Sequence, residues 1–164
     1  MVTAPIPSTR IRFSIQFIFA FVAGFCSVLI FHQSMLSLLH AAGVTSASPF
    51  PYAPTKPFGT PQIWSLAFWG GVWGFVFAIA SRGFPEGVKY WLLTVIFGAV
   101  GPTLIAWFVV FPLKGLPLGG GWKPSGVATG LMVNAAWGVG TALILRILIA
   151  WRISGHHKVT TSGQ

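Results

Sequence analysis

The sequence stretch that decides the fold is residues 13–31, FSIQFIFAFVAGFCSVLIF, which carries no charged side chain. Three further apolar stretches follow at about residues 63–81, 90–113 and 127–150, and Arg146 is the only charge inside any of them. Each stretch is about 19 to 24 residues long, enough for a helix to cross a hydrocarbon core of roughly 30 Å. Because lipid offers no hydrogen-bonding partner to the backbone, such stretches form helices. We therefore predict an all-α polytopic membrane protein with a bundle of four transmembrane helices.

The composition excludes most soluble functions. Of the 164 residues, 54% are hydrophobic and 7% are charged, whereas soluble domains carry about 25% charged residues. Ten basic residues stand against a single acidic one, Glu86, and they form no run typical of a nucleic-acid arm. One carboxylate cannot supply a hard-cation site or a pair of carboxylates for acid–base chemistry. We expect no enzyme activity, no metal or other cofactor and no nucleic-acid partner.

The basic residues also set the expected topology. If the N-terminus is cytoplasmic, the outer side carries only Lys56, Lys114 and Lys123, and the inner side carries the other seven Lys and Arg residues. Cytoplasmic loops carry the excess of Lys and Arg in membrane proteins. The sequence therefore predicts an N-in/C-in, multi-pass protein, and a bacterial inner (cytoplasmic) membrane is the expected location.

The chain is expected to have three parts: a cytoplasmic N-terminal tail (1–12), a four-helix membrane domain (13–150) and a flexible cytoplasmic tail (151–164). The first span extends from residue 31 to 42 if the polar stretch after Phe31 stays helical. A cleaved signal peptide is the alternative for the first span, although the apolar stretch 13–31 exceeds the usual length of about 7–15 residues. The external connection 43–61 contains five prolines and is expected to be extended and semi-rigid.

Small residues at a spacing of four predict close helix packing. One stripe lies on the fourth stretch and a shorter one on the second: Gly126, Gly130, Asn134, Gly138 and Ala142, and Gly70, Gly74 and Ala78. We predict that these two stretches pack on each other; the alternatives are a homo-oligomer seam and a solute path lined by Asn134. A large side chain at Gly130 or Gly138 is then expected to disturb packing more than one at Gly119 in a loop.

A weak internal repeat relates the same two stretches. An offset of 64 residues places Trp73, Gly74, Ala78 and Arg82 on Trp137, Gly138, Ala142 and Arg146. Both stretches are expected to run in the same direction after a loop that contains proline, which fits a parallel repeat of two-helix hairpins. Convergence on the composition of membrane helices explains the identities equally well.

One polar cluster with ionisable groups adjoins an apolar stretch: His32, Gln33, Ser37 and His40. Its expected role is a polar edge that bonds the proline-rich loop. Proton handling and metal or haem ligation are the alternatives. Two histidines eight residues apart, with no carboxylate nearby, make a poor metal site.

Two further features have a structural and a functional interpretation. Gly101, Pro102 and Thr103 predict a kink in the third stretch, since proline removes a backbone donor; the alternative is a broken helix beside a cavity. Arg82, Arg146 and Arg152 lie near predicted helix ends, where they either extend to the interface or bind anionic lipid headgroups.

Two resemblances to known families cover short pieces of the chain. Residues 129–138, TGLMVNAAWG, resemble the asparagine-bearing helix of the small four-helix fluoride channels, and residues 70–74, GGVWG, resemble their glycine-rich first helix. The phenylalanine- and threonine-rich segment of that family is missing here. The tryptophan-rich composition is similar to that of the tryptophan-rich sensory proteins, which have five spans, whereas four are predicted here. We assign the chain to neither family.

The sequence therefore predicts a small non-enzymatic membrane protein, an accessory, assembly or interaction subunit that acts through transmembrane helix packing. Its expected partners are the lipid bilayer and either further copies of itself or a larger membrane complex. The alternative is a small transporter or channel for a neutral or anionic solute, with Asn134, Thr103 and Pro102 along the path. The two hypotheses differ in whether these residues face a cavity or neighbouring helices.

Overall fold

A computed structural model of the protein describes residues 8–55 and 58–161, with side chains for 15–55 and 58–152. The structure is 79% helical. Four helices are long and apolar enough to cross a membrane, and we number them spans 1 to 4: Ile15–Ala41, Gln62–Gly83, Val88–Leu113 and Pro124–Arg152. The prediction of four such helices is confirmed.

Spans 1 and 3 are composite helices. Span 1 comprises α1 (Ser8–Ser27), a π-helical turn (Val28–His32) and α2 (Gln33–Ala41). Span 3 comprises α4 (Val88–Ile105), a π-helical turn (Ala106–Val110) and the short α5 (Phe111–Leu113). Span 2 is α3 (Gln62–Ala80) with a closing 3-10 turn (Ser81–Gly83), and span 4 lies within α6 (Pro124–Thr161). Two short antiparallel strands, β1 (Pro54–Thr55) and β2 (Thr60–Pro61), pair in the connection between spans 1 and 2.

The helices extend beyond the predicted ends of the membrane domain. Helix α6 continues to Thr161, where the sequence predicts a flexible tail from residue 151, and α1 begins at Ser8, inside the segment predicted as an N-terminal tail. The predicted ends rest on where charges appear. Charge marks the edge of the apolar stretch and not the end of a helix, and residues 151–161 contain no proline that would interrupt α6.

The π-helical turns change which side chains face the bundle. Each adds one residue to a turn, and one extra residue rotates the following helical face by about 100°. After the turn in span 1, Gln33 is fully buried and its neighbour Ser34 is exposed. In span 3 the helix continues through Pro102, and the π-helical turn begins four residues later, at Ala106. Span 3 thus carries a π-helical turn about one turn beyond Pro102, and the kink predicted at Pro102 stays a prediction.

The helices meet in pairs through glycine. Span 1 crosses span 2 where Gly24 faces Gly70 and Gly74, and span 3 crosses span 4 where Gly98 faces Gly138. A Cβ atom built at Gly24 would lie 3.0 Å from the Cα of Gly74, and one built at Gly98 would lie 2.8 Å from the Cα of Gly138. Backbone therefore touches backbone at both crossings, which leaves no room for a side chain.

The small-residue stripes of spans 2 and 4 pack against other helices than the sequence predicts. Gly70 and Gly74 face span 1, and Gly138 faces span 3, so the two stripes do not pack on each other through their glycines. Gly130 makes only ordinary contacts, the nearest at 3.6 Å from the Cγ2 of Thr103, and Gly126 has no neighbour within 4 Å. A stripe defines a face of a helix but not the helix that covers it. The partner glycines of spans 1 and 3 belong only to short pairs of small residues, Ala20 with Gly24 and Gly98 with Gly101.

The two hairpins, span 1 with span 2 and span 3 with span 4, use the same crossing. Gly24 meets the carbonyl of Gly70 and the Cα of Gly74, and Gly98 meets the carbonyl of Asn134 and the Cα of Gly138. Asn134 and Gly138 follow Gly70 and Gly74 by the 64 residues of the sequence repeat, and Gly98 follows Gly24 by 74. The connection inside the first hairpin is therefore ten residues longer, and the repeat corresponds to two equivalent helix pairs.

Trp137 joins one hairpin to the other. Its side chain is 2% exposed, and its indole Nε1 donates a hydrogen bond of 3.0 Å to the carbonyl oxygen of Gly24. The hydroxyl of Ser27 donates in turn to the carbonyl of Trp137 at 2.7 Å. On the other side of the bundle, Phe77 of span 2 packs edge-on against Phe97 of span 3, with ring centroids 5.6 Å apart. Hydrogen bonds and aromatic rings thus join the two hairpins.

Gly138→Ala and Gly126→Ala provide a matched test of the crossing, because both positions lie on α6. At Gly138 a Cβ would lie 2.7 Å from the Thr94 carbonyl oxygen and 2.9 Å from the Cα of Gly98. We expect this variant to lose about 1–3 kcal/mol of stability, whereas Gly126→Ala is neutral or slightly stabilising because alanine is the better helix former. Thermal unfolding in detergent measures both. Equal melting temperatures for the two variants would show that the crossing is not as tight as described.

Candidate functional site

Two ends of the bundle carry the polar chemistry. The loop end carries the connections 43–61 and 114–123, and the basic end carries Arg82 and Arg146. Every span runs from one end to the other: spans 1 and 3 begin at the basic end, and spans 2 and 4 begin at the loop end. The predicted functional residues fall at these two ends and at one contact between spans 3 and 4.

At the loop end, Gln33 fixes the proline-rich connection to the bundle. The side chain is fully buried, and its Oε1 accepts a hydrogen bond of 2.7 Å from the backbone N–H of Phe50. The side-chain Nε2 of Gln33 donates to Nδ1 of His32 at 3.3 Å. The backbone carbonyl of Gln33 accepts from the Ser37 hydroxyl at 2.8 Å. The structure thus brings together three of the four residues of the polar cluster, whereas His40 is exposed at the end of α2.

Phe50 has a backbone conformation that its side chain disfavours. Its φ is +48°, in the left-handed region that bulky residues rarely adopt. Such a conformation costs about 1–3 kcal/mol and persists only where the surroundings impose it. The hydrogen bond to Gln33 supplies that constraint, because it fixes the direction of the Phe50 N–H.

The connection has a defined path beyond Phe50. The Ile63 N–H donates to the carbonyl of Pro51 at 2.9 Å, and the Gln62 N–H donates to that of Ala53 at 3.0 Å. These bonds join the connection to the first turn of span 2. Two aromatic side chains remain on its outer surface: Tyr52 is 68% exposed and Phe58 is 89% exposed.

The second connection at the loop end is packed by tryptophan. The rings of Trp107 and Trp122 meet at 5.4 Å between centroids. A Cβ at Gly119 would lie 2.5 Å from the Trp122 ring, and Gly119 itself has a φ of +58°. Gly119 is therefore a constrained, buried position and not the neutral loop site that the sequence suggests.

Spans 3 and 4 share a polar contact near their loop end. The Asn134 Nδ2 donates to the Thr103 hydroxyl at 2.8 Å, and that hydroxyl donates to the Gly130 carbonyl at 3.3 Å. Thr103 is 1% exposed. Gly101 lies on another face of the helix, where a Cβ would meet Trp73 of span 2 at 3.4 Å. Thr103 and Asn134 thus bond each other across a helix contact.

At the basic end, all four spans line a cleft of about 250 Å³. Arg82 and Arg146 both belong to its wall. The Arg146 guanidinium lies over the Tyr90 ring, 4.0 Å from the centroid, and 5.5 Å from that of Trp91. Arg152, which the sequence groups with these arginines, is not part of the wall. The half-buried Ala78 is a wall residue as well as a member of its stripe, and Ala142 is fully buried.

Sequence reasoning missed the partner residues at these sites. Nothing in the sequence indicates that the Phe50 N–H bonds to the Gln33 side chain. Nor does it indicate that the Tyr90 ring lies beneath the Arg146 guanidinium. Among the side chains that the structure describes, at 15–55 and 58–152, no group of three or more His, Cys, Asp or Glu is placed to hold a metal ion.

Comparison with known proteins adds no relative: no family model matches the chain, no curated protein is detectably similar to it, and no solved structure matches it. Function is therefore inferred from the geometry of these sites.

Gln33→Leu removes the acceptor for the Phe50 N–H while keeping a buried side chain of similar size. Since a hydrogen bond is worth about 1 kcal/mol, we expect amide hydrogen exchange at Phe50 and its neighbours to accelerate about fivefold. Ser34→Ala, at the exposed next position, is the control and leaves exchange unchanged. An unchanged exchange rate at Phe50 in Gln33→Leu would mean that another contact fixes the connection.

Proposed function

We propose that the protein is a non-enzymatic, multi-pass membrane protein that serves as an accessory or assembly subunit of a larger membrane complex. In this proposal both termini are cytoplasmic, the membrane is a bacterial inner membrane, and the connection 43–61 faces outward to bind a partner protein. The observation that carries it is the hydrogen bond from the Phe50 N–H to the buried Gln33 side chain, which holds the proline-rich connection against span 1 at this point.

Holding the connection in place matters for binding, because the connection displays apolar side chains. Tyr52 and Phe58 are more than two-thirds exposed on it. A connection that only joined two helices would need neither a buried glutamine nor a left-handed phenylalanine to hold it. Preorganising a surface lowers the entropy lost on binding, and aromatic side chains are the usual anchors of protein interfaces.

The proposed orientation rests on charge. Arg82 and Arg146 lie at the end of the bundle opposite the proline-rich connection. Basic residues accumulate on the cytoplasmic side of membrane proteins. The connection then lies on the outer side, where a partner would reach it without competing with the basic end.

The transporter alternative is less well supported. It requires Asn134 and Thr103 along a path, but their side chains bond each other across spans 3 and 4. One turn further on, Gly98 and Gly138 are in backbone contact, which leaves no gap between these helices. Interhelical hydrogen bonds and small residues are the means by which membrane helices associate. These observations favour the packing role.

Thr103→Val and Thr94→Val distinguish packing from transport. Both residues are buried in span 3, but the Thr103 hydroxyl bonds Asn134 and Gly130, whereas the Thr94 hydroxyl has no hydrogen-bond partner among the described residues. We expect Thr103→Val to lose about 1–2 kcal/mol of stability and Thr94→Val to be neutral or stabilising, as measured by unfolding in detergent. Unchanged stability of Thr103→Val, together with altered solute flux in liposomes, would favour the transporter.

Site-specific photo-crosslinking in the native membrane tests the proposed function directly. A photoreactive side chain at position 52 or 58 is expected to give one discrete protein adduct of defined mass. Position 92 is the control, because Leu92 is 58% exposed on the apolar surface of span 3 and should give lipid adducts. Lipid adducts alone at all three positions, or a dimer of this chain as the only protein adduct, would contradict the proposed partner.

A further inference from the structure

We propose that Arg82 and Arg146 form a binding site for a phosphate group in the cleft at the basic end, which residues of both hairpins line. This inference does not depend on the proposed accessory role, because it concerns the opposite end of the molecule.

The cleft lies where the two hairpins meet. The offset of 64 residues that relates span 2 to span 4 carries Arg82 onto Arg146 and Ser81 onto Leu145, and all four residues line the cleft. The offset of 74 that relates span 1 to span 3 carries Gln16 onto Tyr90, and both also line it. Equivalent residues of the two hairpins therefore surround one space, and each hairpin contributes one guanidinium group.

The charged side chains in the wall of the cleft are all positive. Its wall contains two arginines and no carboxylate. The whole chain has one acidic residue, Glu86, against ten basic ones. Such a wall attracts anions, and a bound anion lowers the repulsion between charges of the same sign.

The geometry favours phosphate among anions. Guanidinium groups bind phosphate through paired N–H donors, which makes arginine the residue of choice for this ligand. The Arg146 guanidinium is held in place by the Tyr90 ring at 4.0 Å and the Trp91 ring at 5.5 Å, so less freedom is lost when an anion binds.

Two sources of phosphate fit the cleft. Apolar side chains, Phe17 and Ile149 among them, form the rest of the wall and suit the glycerol and acyl part of an anionic phospholipid. Basic pockets between membrane helices commonly bind such headgroups. A free phosphate ion or a soluble phosphate ester would use the same two arginines without the apolar wall.

The test measures binding to the delipidated full-length protein in neutral detergent. Native mass spectrometry quantifies phosphatidylglycerol against phosphatidylcholine, and thermal shift quantifies inorganic phosphate against chloride. We expect preference for a net anionic phosphate ligand. Arg82→Gln and Arg146→Gln should each weaken binding about fivefold, and the double variant about 30-fold, as expected for basic residues near an anionic headgroup.

Lys89→Gln is the matched control, because Lys89 is exposed and near the same end but does not line the cleft. It should leave binding unchanged. A response to phosphatidylglycerol alone assigns the site to a lipid, and a response to inorganic phosphate alone assigns it to a soluble ligand; either supports the site. Equal losses in Lys89→Gln and the arginine variants, or no preference for anions in the folded wild-type protein, would overturn it.

Discussion

The hydrogen bond from the Trp137 indole to the Gly24 carbonyl is the contact on which the arrangement of the four helices depends. Lipid is as apolar as leucine, so burial of apolar side chains does not drive helices together in a membrane. Backbone contact and interhelical hydrogen bonds must supply the specificity. The indole reaches Gly24 because Gly70 has no side chain: a Cβ there would lie 3.3 Å from Nε1. One tryptophan and two glycines thus fix spans 1, 2 and 4 together.

The repeated hairpin explains why the two ends of the bundle differ. The glycine crossings are equivalent, so the basic end presents matching residues from both hairpins around one cleft. At the other end the two hairpins differ, because the first has the longer connection, which carries the proline-rich segment and the exposed Tyr52 and Phe58. The proposed phosphate site and the proposed partner surface therefore belong to opposite ends of the same bundle.

The sequence predicts the four spans because the scarcity of charge leaves few choices, and it identifies Gly74 and Gly138 as packing residues. It does not predict which helix covers them, since the small residues beside Gly24 and Gly98 form only short pairs, Ala20 with Gly24 and Gly98 with Gly101. The π-helical turns are also invisible to a regular spacing, because each rotates the following face by about one residue. The repeat involves two offsets, and the offset of 74 residues leaves fewer identities in the sequence than the offset of 64.

The central claim is that Trp137 joins the two hairpins through Gly24. The most direct measurement is solid-state NMR in lipid bilayers, with isotope labels on the indole nitrogen of Trp137 and the carbonyl carbon of Gly24. The account predicts a weak but detectable dipolar coupling between the two nuclei, assigned by its loss in Trp137→Phe, because a nitrogen that lies 3.0 Å from the carbonyl oxygen is also close to the carbonyl carbon. Absence of that coupling in the folded wild-type protein would contradict the account.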